Sequence, residues 1–352
     1  MIAILLAGGM SLAFSLVGTR YLIDWLSRHG IGQPIHEDVP EGHKVKAGKP
    51  TMGGIAIVVA AVAGYVFAHV RRGMTFSRSG ILVMGLIAGA AVVGGIDDWI
   101  KVTNERNLGL SKRAKTLGLL TVAIGFAGLA VQYTPVKTTL SFTRFDLPGL
   151  QLGRLVWLIW AVVLISACTN AVNITDGLDG LGAGSSIFGF AAYTVISFWM
   201  FRNNGVVVPG GTFANYQVPH ALDLAVVSAA MLGGTAGFLW WNAAPARIIM
   251  GDTGSLALGA GLAGLALLTN TQMLLPIIGG LFVFETLSVI LQVFAFRVFH
   301  RRVFRMAPIH HHYELAGWPE TTIIIRFWIL AGLSTAVALG VFLADYIQFT
   351  NQ

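Results

Sequence analysis

Ten long apolar stretches dominate this chain, near residues 2–26, 52–70, 80–98, 116–132, 154–172, 182–201, 221–241, 255–269, 273–296 and 323–347. At a rise of about 1.5 Å per residue, helices of this length approach the roughly 30 Å of a bilayer's hydrocarbon core. Lipid offers no partner for backbone polar groups, so each stretch is predicted to be a helix that satisfies its own. The expectation is an all-α, polytopic integral membrane protein, with residues 1–352 forming one integrated domain. Charged residues make up only 11% of the chain, against about 25% in soluble domains. The 43 glycines suit close packing of membrane helices and are compatible with a homodimer. No basic run is interleaved with aromatics, which excludes nucleic acid as a partner. Cys168 is the single cysteine, so no internal disulfide forms. The first apolar stretch has no basic region before it and no small-residue cleavage site, and reads as a retained span.

Ten spans place alternate loops on alternate sides. The loops near 27–51, 99–115, 173–181, 242–254 and 297–322 carry fourteen Lys and Arg residues, against seven in the other set. The positive-inside rule puts the richer set in the cytoplasm and both termini outside. Nearly every unusual polar residue falls in those same five loops, so the chemistry is expected on the cytoplasmic face. Residues 133–153, with the alternating run TTLSFTRFDL, read as a small outer hairpin.

The most telling stretch is NAVNITDGLDGL, residues 170–181. Asn170, Asn173, Asp176 and Asp179 recur every three residues, so a helix or helical turn puts them on one face. An ionised Asp near the bilayer centre costs about 2.5–3.5 kcal/mol, which argues for a water-filled site rather than an idle loop. GGIDDWIK ends the third stretch, and its adjacent Asp97 and Asp98 point about 100° apart on a helix. One can hold a metal while the other acts as a base; carboxylates beside phosphates are the usual way to hold Mg²⁺. Asp252, between Gly251 and Thr253, is either a metal ligand or a helix cap. In HKVKAGKPTMGG, residues 43–54, Lys46 and Lys49 flank a glycine ahead of a helix start, which suits a phosphate. The run His310-His311-His312 suggests a transition metal first, but with no cysteine beside it and acids elsewhere, contacts to phosphate or sugar are preferred. Glu285 and Gln292 sit inside the ninth apolar stretch, and only Gln292 is taken as a functional candidate. Together these describe a polytopic enzyme with an acid-rich, Mg²⁺-competent site and basic groups for phosphates. Phosphoryl transfer requires such an inventory and little else.

At this point the motifs themselves become informative. GKPTMGG, GGIDDWIK, NAVNITDGLDGL, WNAAPARIIMGDTGSLALG and MAPIHHHYELAGWPE, in this order, resemble the phospho-N-acetylmuramoyl-pentapeptide transferase family. That family is one branch of the polyprenyl-phosphate N-acetylhexosamine-1-phosphate transferases, and the resemblance runs from the first cytoplasmic loop to the tenth span. It implies ten transmembrane helices in the bacterial cytoplasmic membrane. It also implies transfer of phospho-MurNAc-pentapeptide from UDP-MurNAc-pentapeptide to undecaprenyl phosphate, releasing UMP and forming lipid I for peptidoglycan, with Mg²⁺ required. By motif matching, Asp252 is the principal Mg²⁺ ligand, supported by Asp98, and Asp97 is the base on the lipid phosphate. His310 joins the catalytic set. Lys46, Thr51, Asn170, Asn173, Asp176, Asp179, Asn242, Gln292, His311 and His312 are the substrate-binding candidates. One position departs: Ile249 stands just before Met-Gly-Asp-Thr-Gly, where the family usually carries an aromatic residue, and cannot stack on uracil as a ring would.

Two other readings compete. A sister transferase would use UDP-GlcNAc, but the histidine run and the PTMGG loop resemble the muramoyl branch. A transporter would place ionisable groups near the midplane between repeats; here they gather at span ends on one side, and no repeat is evident.

Overall fold

The computed structural model describes residues 1–32, 48–104, 109–204, 206–207, 213–214 and 216–350. Ten helices in it are long and apolar enough to cross a membrane. They are α1 (Ile2–Arg28), α2 (Gly54–Arg72), α3 (Arg78–Thr103), α4 (Lys112–Tyr133), α5 (Gly153–Thr175), α6 (Leu181–Arg202), α7 (Ala221–Asn242), α8 (Gly251–Leu268), α10 (Gly280–Phe299) and α12 (Glu320–Thr350). Two short helices complete the set, α9 (Leu275–Ile278) and α11 (Ile309–Glu314). The expected spans therefore match the observed ones to within a few residues, except that the ninth stretch splits. Leu275 begins α9 with Pro276 in its first turn, a single turn capped at Gly279, and the full span starts afresh at Gly280.

The expected hairpin is present: β1 (Thr139–Arg144) pairs antiparallel with β2 (Leu147–Gln151). Its inward side chains alternate as a half-buried strand requires. Thr143 donates to Asp345 at 2.7 Å and Arg144 faces the same carboxylate at 3.2 Å, which fastens the hairpin to α12. A second, two-residue pair, β3 (Val206–Val207) with β4 (Phe213–Ala214), was not foreseen.

α8 is the axis of the bundle. All of its 18 residues except Gly251 are buried, whereas α1, α4, α10 and α12 turn most of their surface outward. A helix that is apolar all round belongs inside a bundle, and helices with large exposed aliphatic residues belong at its lipid boundary. α8 packs on α3, α5 and α2, and α7 packs on α1, α6 and α2.

At its N-terminal end α8 is approached so closely that only glycine fits. A Cβ on Gly94 of α3 would collide with the backbone of Asp252 and Thr253, and one on Gly54 of α2 with the backbone of Gly254. By contrast, a Cβ on Gly85, also on α3, would meet nothing within 4 Å. Gly94→Val should therefore destabilise the protein by about 1–3 kcal/mol through overpacking, while Gly85→Ala should be neutral or slightly stabilising. Thermal unfolding of the two variants in one detergent checks both expectations.

Candidate active site

Three carboxylates converge at one end of the bundle. Asp97 and Asp98 come from near the C-terminus of α3 and Asp252 from the first turn of α8, and all are buried. One oxygen from each lies within 4.8 Å of the other two.

Asp98 turns towards α8. Its Oδ1 accepts from the backbone N–H of Asp252 at 3.0 Å, and its Oδ2 accepts from the backbone N–H and hydroxyl of Thr253 at 2.9 and 2.7 Å. These are N–H groups that a helix start leaves without an internal partner, and the positive end of the helix dipole favours a carboxylate there. α8 is thus capped from a neighbouring helix, and the capping role considered for Asp252 belongs to Asp98. Gly251 makes the approach possible, with φ at 73° and no side chain in the way of the Asp98 carboxylate.

Asp97 turns the other way. Its Oδ1 accepts from the backbone N–H of Leu110 at 2.9 Å, and its Oδ2 faces Lys101 at 2.6 Å. Lys101 Nζ also lies 2.6 Å from Asp252 Oδ2, and Lys115, from the first turn of α4, lies 2.7 Å from that same oxygen. Asn173, near the end of α5, donates to Asp252 Oδ1 at 2.5 Å and to Ser255 at 2.8 Å. Counted as ionised, three carboxylates against two ammonium groups leave one net negative charge. The donor set is oxygen only and hard, as a hydrated divalent cation prefers, and the cluster can bind a metal.

The other expected residues fall into three groups. Thr51 lies in a segment stitched to the loop before α8: Ile249 donates to Pro50 at 2.8 Å, Gly53 to Ile249 at 2.9 Å and Gly54 to Met250 at 2.9 Å. Asp179 accepts from Ala246 N–H at 2.9 Å and faces Lys49 at 3.5 Å, tying the bend after α5 to that loop. Asp176 ends α5, and a Cβ on Gly182 would meet it. Asn242 donates to Ile248 at 2.9 Å, while its buried Oδ1 has no partner among the described residues. These residues converge on the loop that precedes Asp252.

A second group surrounds α11. His310 is buried, with Nδ1 3.0 Å from Glu285, and His311 lies 2.5 Å from Glu314. His312 Nδ1 accepts from the backbone N–H of Arg305 at 3.1 Å. Gln292 spends its whole amide on the backbone, donating to Phe304 at 3.0 Å and accepting from Val303 and Phe304 at 3.0 and 2.9 Å. It shapes the loop before the histidines. The third group has one member. Asn170, one turn before Asn173, is exposed and donates to Ser166 of its own helix at 2.7 Å. Lys46 lies outside the described residues.

Two contributors escaped the sequence reading. Lys115 belongs to the basic loop near 99–115 together with Lys112 and Arg113, and it alone of the three reaches the carboxylates. Its signal was positional: Ser111 caps α4 by accepting from Ala114, which sets which residue of the first turn faces α3. Glu285 was passed over as a bundle polar group; its pairing with His310 spans 25 residues and leaves no local pattern.

Comparison with known proteins bears on this arrangement. Residues 80–270 match the profile of glycosyl transferase family 4, more than half of the chain and all of the acidic cluster. The chain is also 49% identical to a phospho-N-acetylmuramoyl-pentapeptide-transferase of Saccharopolyspora erythraea, over 99% of both chains. Proteins of the same name from Frankia alni, 48% identical over 99% of both chains, and Streptomyces griseus, 49% identical over 97% of this chain and 98% of the relative, agree. The match to glycosyl transferase family 4 sets the class. Within it, the chain belongs to the phospho-N-acetylmuramoyl-pentapeptide transferase family.

Asp98→Ala should lower stability by about 1–3 kcal/mol, because it leaves buried donors at the start of α8 without an acceptor. Asn170→Ala, at an exposed position, should stay within about 0.5 kcal/mol of the parent. Unfolding midpoints in detergent distinguish the two.

Proposed function

We propose that this enzyme transfers phospho-MurNAc-pentapeptide from UDP-MurNAc-pentapeptide to undecaprenyl phosphate, releasing UMP and forming lipid I. The observation that carries the reading is the meeting of Asp97, Asp98 and Asp252 with Lys101 and Lys115 at one end of a membrane bundle. That end faces the cytoplasm and both termini lie outside, as the distribution of basic loop residues supports. The membrane is the bacterial cytoplasmic membrane, where a soluble nucleotide sugar and a lipid phosphate can meet.

The chemistry is a displacement at the β-phosphorus of the nucleotide sugar. An oxygen of the lipid phosphate forms the new P–O bond, the bond to the α-phosphate oxygen breaks, and the electron pair leaves with UMP. Asp97, whose Oδ2 faces the Lys101 and Lys115 ammonium groups beside the Asp252 carboxylate, is the residue suited to receive a proton from the acceptor phosphate. The Lys101 and Lys115 ammonium groups supply countercharge to phosphoryl oxygens, a preorganised stabilisation that needs no rearrangement during reaction. Mg²⁺ held by Asp252, with Asp97 or Asp98 beside it, would neutralise charge on the pyrophosphate. Asn173 orients Asp252 through a direct hydrogen bond. Asp176 and Asp179 support the nucleoside-sugar pocket in the bend after α5; Thr51, Asn242 and the His310–His312 run complete its polar wall, and Lys46 is kept as a substrate-binding residue on its motif alone.

A one-step displacement is favoured over a covalent phospho-aspartate. Both oxygens of Asp98 are already engaged by donors of α8, so that side chain offers no free nucleophile. Asp97 has one oxygen on Leu110 and the other on a lysine.

Purified protein with Mg²⁺ and undecaprenyl phosphate should release UMP from UDP-MurNAc-pentapeptide and not from UDP-GlcNAc. Asp252→Asn should lower that rate by about 10²–10³-fold, the usual effect of removing one electrostatic stabiliser. Turnover of UDP-GlcNAc instead would move the enzyme to the sister branch. Absence of UMP with either donor, from well-folded protein, would refute the transferase reading.

A further inference from the structure

Glu285, inside the apolar helix α10, and His310 of α11 form a completely buried pair. Their side chains are 0% exposed, and His310 Nδ1 lies 3.0 Å from Glu285 Oε2. An ionised carboxylate only accepts, so Nδ1 carries the proton of this bond. The other ring nitrogen, Nε2, has no partner among the described residues, although it too is buried. It is aimed at Gly177, where a Cβ would strike it. Gly177 lies between Asp176 and Leu178 in the polar bend that follows Asn173. The free nitrogen of a buried histidine thus points at the stretch assigned to the donor substrate.

The pair is part of a larger device. Glu285, Ser288 and Gln292 occupy positions i, i+3 and i+7 of α10, one face of a helix. Ser288 accepts from the backbone N–H of Ile309 at 3.0 Å, directly before His310, and Gln292 holds the backbone of residues 303 and 304. Three polar side chains on one stripe of an otherwise apolar helix therefore fix the segment that delivers His310. Ser288 and Gln292 set its backbone, and Glu285 sets the orientation of its ring.

We propose that Glu285 is a positioning residue for the transfer reaction, acting through His310. It holds Nδ1–H and so turns Nε2 towards a phosphate oxygen of the substrate in the bend after α5. This rests on the transferase reading above. Burying a carboxylate in the bundle is unfavourable unless it is paired, and its one charged or polar side-chain partner among the described residues is His310.

Four variants and one spectrum test this. Glu285→Met removes the acceptor at similar volume, Glu285→Gln keeps an acceptor without the charge, and His310→Ala removes the ring. For Glu285→Met, kcat of UMP release should fall about 10–100-fold, as for other groups that orient a working histidine. KM for both substrates should stay within about threefold, a split that simple loss of packing would not produce, and Glu285→Gln should recover part of the rate. The double variant Glu285→Met/His310→Ala should be no slower than His310→Ala alone, because the two residues act as one unit. In wild-type protein, ¹⁵N spectra of labelled histidine should show a buried ring protonated at Nδ1 besides that of His69, whose Nδ1 donates to the Tyr65 carbonyl at 2.9 Å, and its loss in His310→Ala assigns it. A Glu285→Met enzyme within twofold of wild-type kcat would overturn the proposal, and so would multiplicative losses in the double variant. If Glu285→Met fails to fold, Glu285→Gln and the wild-type spectrum decide, and an Nδ1 without its proton refutes the arrangement. Wild-type protein that releases no UMP refutes the transferase reading first, before any variant is compared.

Discussion

The contact on which the site depends is the Asp98 carboxylate seated on the N-terminus of α8. A helix that starts inside a bundle brings unpaired N–H groups with it, and lipid or apolar side chains cannot satisfy them. Asp98 meets this need from α3, through both of its oxygens. The bond also fixes Asp252, which follows one residue after the turn at Gly251. With Asp252 held, Lys101, Lys115 and Asn173 gather around it from three different helices. The cluster is therefore a by-product of starting α8 correctly as well as a chemical site. A protein that loses this cap loses the geometry of its principal carboxylate with it.

A second constraint is the way loops are tied to one another instead of to solvent. The segment before α2 hydrogen-bonds along the segment before α8, and Asp179 ties the bend after α5 to that same stretch. Polar backbone at a membrane boundary is tolerated where protein satisfies it. The pairing makes three chain segments, far apart in sequence, a single wall. The polar stripe on α10 does the same for the histidine segment, so the floor and the side of the site are both held by hydrogen bonds to neighbouring elements.

How much of this was legible beforehand follows from the range of each force. The spans were readable because hydrophobic length is a property of consecutive residues, and the hairpin because its alternation is local. Asp97, Asp98 and Asp252 stood out because acids at span ends are unfavourable without a purpose. The division of labour between Asp98 and Asp252 was not readable: either acid could have capped α8, and only the crossing of α3 over its start decides. Lys115 was indistinguishable from its basic neighbours until the cap at Ser111 set the phase of α4. Asn170 keeps the three-residue period but is exposed and bonds to its own helix, a difference in surroundings that spacing alone does not reveal. Glu285 had no signature at all, since its partner lies on another element.

The length of α8 has a bearing on where the lipid substrate must stand. Eighteen residues of helix rise about 27 Å, close to the roughly 30 Å of the hydrocarbon layer. A helix of that length that crosses the layer brings Asp252, in its first turn, to about the depth where phospholipid head groups begin. For the proposed acceptor this means that its phosphate reaches the carboxylates by sliding sideways, with its chain still dissolved among the acyl tails. Encounter becomes a two-dimensional search, and saturation of the enzyme is set by how many acceptor molecules occupy each unit area of membrane. The volume of the aqueous phase governs only the other substrate.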